Sequence, residues 1–359
     1  MKRIGFLFLL VAVLSGAAVA QSGADISGLG ADFENLIDQL GQEMLPNLQQ
    51  QAIWGQFPGQ AALPDDSKFF FTLSAGAVLG FNGLLGFVEE TNSAFEVINV
   101  YQLFETILSG GEGGEALASA QNTIATVQNI FPYPVARAGV GFRLPWDLEA
   151  MVDFAILPQF LTTGGINIAN NLTDGTIPPV ELNALHVGSR VRKVLLRDAP
   201  GIPAVSIGAG YSYSGFNVGY DFAEIGDIDT AIGVISFAGQ FFLENRINSF
   251  GLDLQVSKNL GFFVPFIGIS PYYQLARFSG GIGTTDNPFD AAVDFENGGS
   301  DRDIVYDAEA PNTTFADDDV SLLLFGGFDL VFGRFALEVH GSYTIGDGWP
   351  AVSLGTRIQ

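Results

Sequence analysis

Glu338, His340 and Ser342 take alternate positions in "GRFALEVHGSYTIGDGW", Gly333 to Trp349. That spacing puts a carboxylate, an imidazole and a hydroxyl on one side of an extended chain. A nucleophile, a base and an orienting acid are assembled from such residues, but His340 and Ser342 with Glu338 merely beside them lack the oriented third member that a triad needs. No GxSxG, HExxH or phosphate-binding loop occurs, and two histidines without cysteine make no zinc set. The chain therefore reads as a non-enzyme that needs no cofactor. A second cluster runs from Asp286 to Asp319, where eleven carboxylates accompany Arg302 alone. Carboxylates are hard ligands for calcium, which makes Asp317, Asp318 and Asp319 the candidate donors. The spacing matches no EF-hand loop, and a solvated external loop is the plainer reading.

The elements that must position these groups are strands. Phe335, Leu337, Val339, Tyr343 and Ile345 alternate with Arg334, Ala336, Glu338, His340, Ser342 and Thr344, the period of two of a strand with unlike faces. The pattern recurs in Phe71–Leu79, Ala136–Leu144, Leu148–Ile156, Val205–Tyr213 and Phe250–Val256. Each segment is about ten residues long, enough to cross a bilayer when tilted. On this face assignment the interior holds Arg137, Arg143, Glu149, Asp153, His186, Arg190, Arg192, Asp253, Arg334, Glu338, His340 and Arg357. Buried charges must be paired or solvated, so a bracing network of salt bridges is one reading. The other is a row of guanidinium groups that draws anions along a pore.

Composition supports a membrane barrel. Hydrophobic residues make up 48% of the chain with a mean hydropathy of +0.30, glycine contributes 45 residues and phenylalanine 32. After the first 20 residues no apolar run reaches the ~18 residues of a transmembrane helix. Lys2 and Arg3, the apolar run Ile4–Leu14 and Ala18-Val19-Ala20 read as a signal peptide, 1–20, cut before Gln21. Removing it leaves 13 basic against 39 acidic residues, a formal charge of −26, which excludes nucleic acid as a partner. The partners to expect are membrane lipid and the barrel-assembly machinery of a bacterial outer membrane, with a hydrophobic small molecule as ligand.

The reading is an all-β fold, an antiparallel transmembrane β-barrel of about 12 strands over 68–359, or fourteen if two more are carried in 163–182. Even parity places both ends of the barrel on the periplasmic side. Separate strands are expected at 203–214 and 216–223, and at 231–243 and 248–258. Residues 21–67 read as an N-terminal helical plug, with Phe33, Leu36, Leu40, Met44 and Leu48 on its apolar stripe. The remaining insertions are a helical one at 92–131 and the acidic external loop at 278–318.

A signal peptide, a helical lead and "KFFFTLSAGAVLGF" as first strand, followed by apolar helices in an external loop, resemble the long-chain fatty-acid transporters of bacterial outer membranes. The resemblance implies an N-terminal hatch inside the barrel and passive uptake of hydrophobic or amphipathic molecules such as fatty acids. This chain departs from that family in its shorter length, its twelve expected strands rather than fourteen, and the absence of an Asn-Pro-Ala hatch signature. A general porin for polar solutes and a structural or adhesive surface protein are the alternatives.

Overall fold

The computed structural model describes residues 41, 45–46, 48–53, 59–64, 67–78, 135–157, 181–221, 228–230, 233–238, 240–282, 290–295, 302–305, 313–346 and 350–359. The expected signal peptide, Phe33, Leu36, Leu40, Met44 and the insertion at 92–131 lie outside them. In chain order the strands are β1 (Phe69–Val78), β2 (Val135–Leu144), β3 (Leu148–Leu157), β4 (Glu181–Leu196), β5 (Ala204–Asp221), β6 (Ile228–Thr230) and β7 (Gly233–Ala238). They continue with β8 (Gln240–Ser257), β9 (Phe263–Ile282), β10 (Asp290–Phe295), β11 (Arg302–Val305), β12 (Thr313–Phe332), β13 (Phe335–Ile345) and β14 (Pro350–Ile358).

Ten of these strands close into one antiparallel barrel in the order β1-β14-β13-β12-β9-β8-β5-β4-β3-β2. Closure pairs the ladders all round, which an apolar solvent demands of any backbone that crosses it. The other four form a separate sheet in the order β11-β10-β7-β6, reached from the barrel between β5 and β8 and between β9 and β12.

Side chains alternate as the period of two requires. Phe69, Phe71 and Leu73 on β1, Leu252 and Leu254 on β8, and Val352 and Leu354 on β14 face outward and are exposed. Asp153, Arg190, Asp253, Gln274, Asp329 and Arg357 face inward and are buried. Apolar outside and charged inside is the reverse of a water-soluble protein, and it defines a lipid-facing band. On β8 the band runs from Phe262 in the following turn up to Phe250. The strand part of that span, Phe250 to Ser257, is about 23 Å long at ~3.3 Å per residue along the strand, and with the turn below it is of the order of a bilayer's apolar layer. Above it β8 carries Arg246 and Glu244 outward, joined as an ion pair.

The barrel has ten strands where twelve were expected, and the two missing ones were never separate. Residues 203–214 and 216–223 are a single 18-residue strand, β5, and 248–258 continues from Gln240 as another, β8. The outward residues turn polar where the strand leaves the band, as at Asn217 and Arg246, and that change imitates a strand end. Residues 233–238 of the expected 231–243 strand belong to β7, in the separate sheet. Both merges remove one strand, so the parity argument survives. Tight connections at 145–147, 197–203, 258–262 and 333–334 share one end with the start of β1 and the end of β14. The end of β1 and start of β2, the end of β3 and start of β4, the end of β5 and start of β8, and the end of β9 and start of β12 lie at the opposite, loop end.

Candidate functional site: the occupied lumen

Residues 48–53, the described helical run, and 59–64 precede β1 in sequence, and almost all are buried. Their partners come from inward positions all round the wall. Gln274 on β9 donates to Gln49 O at 2.9 Å, and Ser212 on β5 donates to Ala52 O at 3.1 Å. Arg137 on β2 donates to Gln51 O. Lower down, Gln255 on β8 donates to Gly59 O at 2.8 Å, and Ala61 N donates to Ser257 Oγ at 2.9 Å. Near the turn end Arg143 Nη1 donates to Pro64 O at 3.0 Å. A segment bonded to β2, β5, β8 and β9 together can only lie inside the barrel. It descends from mid-depth at Gln49 to the turn end at Pro64.

Its firmest hold is an ion pair used as a clasp. Arg192 Nε on β4 donates to Glu149 Oε2 on β3 at 2.5 Å. The same guanidinium gives Nη1 to Gln60 O at 2.7 Å, and the same carboxylate accepts from Leu63 N at 2.9 Å through Oε1. One buried pair therefore satisfies a carbonyl and an amide of the segment, groups that burial would otherwise leave costly. Across the lumen Arg357 on β14 donates to Asp329 on β12 at 2.8 Å and to Glu338 on β13 at 2.5 Å. Gly59 lies against Asp329 so closely that any side chain there would collide with the carboxylate.

Apolar contacts complete the docking. Ile53 packs with Phe266, Tyr272, Leu323 and Phe325, and Leu63 packs with Phe70 and Met151. His340 stacks on the ring of Phe266 and lies against that of Phe325, with centroids 6.0 and 5.9 Å away. Glu338 turns to Arg357 instead, and Ser342 faces the lumen one step beyond His340. The alternate spacing of Glu338, His340 and Ser342 therefore builds an ion pair and an aromatic wall.

The expected lumen residues fall into place as follows. Arg190 pairs with Asp253 through two hydrogen bonds, the Nε one at 3.1 Å, and Arg143 stands inward at the rim. Arg334 is not a lumen residue: it sits in the 333–334 turn and is exposed, because the alternation that includes it starts one residue later, at Phe335. Of the plug candidates only Leu48 is described, and it is buried. Asp318 is exposed on β12, and among the described residues no three His, Asp or Glu side chains gather as a metal site.

His186 on β4 bonds Ser214 on β5 at 2.6 Å through Nδ1 and Asp153 on β3 at 2.9 Å through Nε2. Gly188 makes the room that Asp153 fills. This Ser–His–Asp chain has the order of a hydrolytic triad, but residues 211–217 are paired to β4 on one side and β8 on the other. Pairing on both sides fixes these residues in the wall, and Phe216 N donates to the Asn245 side chain at 2.9 Å. The chain braces the wall.

Sequence reasoning missed Asp329, Gln255 and Gln274, and it placed residues 59–64 within the expected plug, 21–67, without singling out any of them. Asp329 is the single acid in "GGFDLVF", and its signal was masked by the unbroken apolar run Leu322–Phe325 a few residues earlier. Residues 59–64 carry little pattern of their own, since their backbone makes the contacts.

A closed antiparallel barrel with an apolar outer band and a polar, occupied lumen defines a transmembrane β-barrel. No protein-family profile and no curated protein matches the chain. Among solved structures it is similar to the translocator domain of the autotransporter NalP from Neisseria meningitidis, at 8% identity and a TM-score of 0.32, over 93% of this chain and 100% of that one. The Ralstonia pickettii toluene transporter TbuX aligns at 8% identity and a TM-score of 0.25, over 87% and 97% of the two chains. The CymD monoaromatic hydrocarbon channel aligns at 9% and 0.23, over 90% and 96%.

Proposed function

We propose that the chain is a stoppered channel of a bacterial outer membrane, with residues before β1 as the plug and hydrophobic or amphipathic small molecules, fatty acids among them, as cargo. The observation that carries the reading is the clasp of Arg192 and Glu149 on Gln60 O and Leu63 N. A porin that sieves polar solutes needs an open lumen, and this lumen is occupied in its turn-side half. The aromatic patch of Phe266, Tyr272 and Phe325 is lined for an apolar guest once Ile53 withdraws. Uptake is passive on this reading, and the described residues contribute binding, exclusion of water and release of the segment.

Conductance in planar bilayers tests it, with the mature chain and with residues 21–60 deleted. The intact protein stays closed and the deletion opens a steady channel. Equal conductance by both forms would move the segment out of the pore and favour a porin. The β6-β7-β10-β11 sheet at the loop end favours one other reading, a sealed anchor that displays this sheet, and silence from both forms would select it.

A further inference from the structure

The β2–β3 connection, residues 145–147, turns on a hydrogen bond from Leu148 N to Pro145 O at 3.5 Å, and the two positions between them, Trp146 and Asp147, have φ of 63° and 59°. Such type I′ turns call for Asn-Gly or Asp-Gly, and a bulky residue at positive φ is strained. Trp146 gains nothing from burial in return, since it is 81% exposed. A strained residue whose side chain is left this exposed points to a contact outside the fold. Leu144, Leu195 and Leu196, exposed on the same side, place the indole at the lower border of the lipid-facing band.

Three cations gather at this turn. Arg197 donates to Asp147, Arg143 Nη2 stands 3.6 Å from the same carboxylate, and Lys193 donates to Trp146 O. Their field, led by the Arg197 hydrogen bond, holds the Asp147 carboxyl below its usual range. One carboxylate against three cations leaves the spot positive, in a mature chain of formal charge −26. Lys193 faces outward, half-buried, and its ammonium has more donors than Trp146 O uses.

We infer that the β2–β3 turn binds the phosphate headgroup of an anionic phospholipid in the turn-side leaflet, with Lys193 meeting the phosphate and Trp146 seated among the acyl-chain ends. An amphipathic ring at a headgroup border, beside an ammonium, matches both halves of such a lipid. The inference rests on the membrane reading of the barrel and is independent of what passes through the lumen.

The test uses the mature chain with Trp54 and Trp349 changed to Phe, so that Trp146 alone fluoresces. It is reconstituted in phosphatidylcholine vesicles containing brominated phosphatidylglycerol or brominated phosphatidylcholine. Trp146 is half-quenched at a lower fraction of the anionic lipid, and Lys193→Gln reduces that preference about fivefold, the equivalent of roughly 1 kcal/mol for one lysine at a charged surface. Trp146→Asn, which suits the turn, unfolds at higher urea in uncharged micelles than the parent does. Equal quenching by the two lipids, or a preference untouched by Lys193→Gln, overturns the site. A preference abolished by millimolar inorganic phosphate overturns the lipid as ligand. A stability loss in Trp146→Asn overturns the strain argument by giving Trp146 a structural role. Failure to insert into either vesicle would instead refute the membrane reading itself.

Discussion

Gly59→Ala adds one methyl group to the segment inside the lumen. Its Cβ would lie 1.8 Å from Oδ1 of Asp329 and 2.5 Å from Cγ, contacts no real structure tolerates. Asp329 has little freedom to yield, because it is fully buried and paired with Arg357 at 2.8 Å. Overpacking of this kind costs about 1–3 kcal/mol, whereas taking a buried carboxylate off its cation costs about 3–5 kcal/mol. The molecule takes the cheaper course, so the docked segment loses about 1–3 kcal/mol, roughly 5- to 150-fold in the ratio of closed to open lumen. Single-channel recording reads that ratio directly, and the variant should open more often than the parent at the same voltage. Asp329→Ser removes the atoms that the methyl meets while Arg357 keeps Glu338, so Gly59→Ala should add no further opening in that background. A folded Gly59→Ala barrel as closed as its parent would refute the reasoning. So would an equal effect of the methyl with and without Asp329.

Two further outcomes follow from the same contacts. Glu149→Gln strips Arg192 of its counter-charge in the buried lumen and should destabilise the barrel by about 3–5 kcal/mol, read as a fall in the urea midpoint of refolded protein, with increased conductance from the loosened segment. Leu252→Arg places a charge near the middle of the lipid-facing band and should cost about 2–4 kcal/mol in bilayers, measured by the same urea titration. An unchanged midpoint in bilayers would show that Leu252 does not meet lipid.

The strands of the barrel were legible because each has two solvents, and a period of two records that at every residue from Phe335 to Ile345. Parity was legible as well, and it survived an error in the count because both merged pairs removed a strand without shifting the sidedness. The count failed at β5 and β8 because a strand that rises above the membrane trades apolar outward residues for polar ones without turning. The occupied lumen was legible only in outline. Leu48 belongs to an apolar stripe that periodicity detects, but Gly59–Pro64 is held largely through backbone atoms, which leave no trace in side-chain pattern.

The charges of the lumen show why a list of inward residues does not decide between a brace and an anion path. Arg137, Arg190, Arg192 and Arg357 all face inward, which a selectivity filter would also require. What separates the readings is where their donors go. Arg190 is spent on Asp253, and Arg357 on Asp329 and Glu338, so each meets a carboxylate supplied by the neighbouring wall. Arg137 and Arg192 reach the carbonyls of Gln51 and Gln60. A guanidinium committed to a carboxylate on one edge and a carbonyl on another has little left for a passing anion. In a narrow barrel the arginines therefore act as fixed donors for a strip of the chain's own backbone. On the proposed channel reading, whatever passes this lumen must first displace that strip and take over or bypass its hydrogen bonds, so the segment, rather than the ring of charge, would set when the barrel opens.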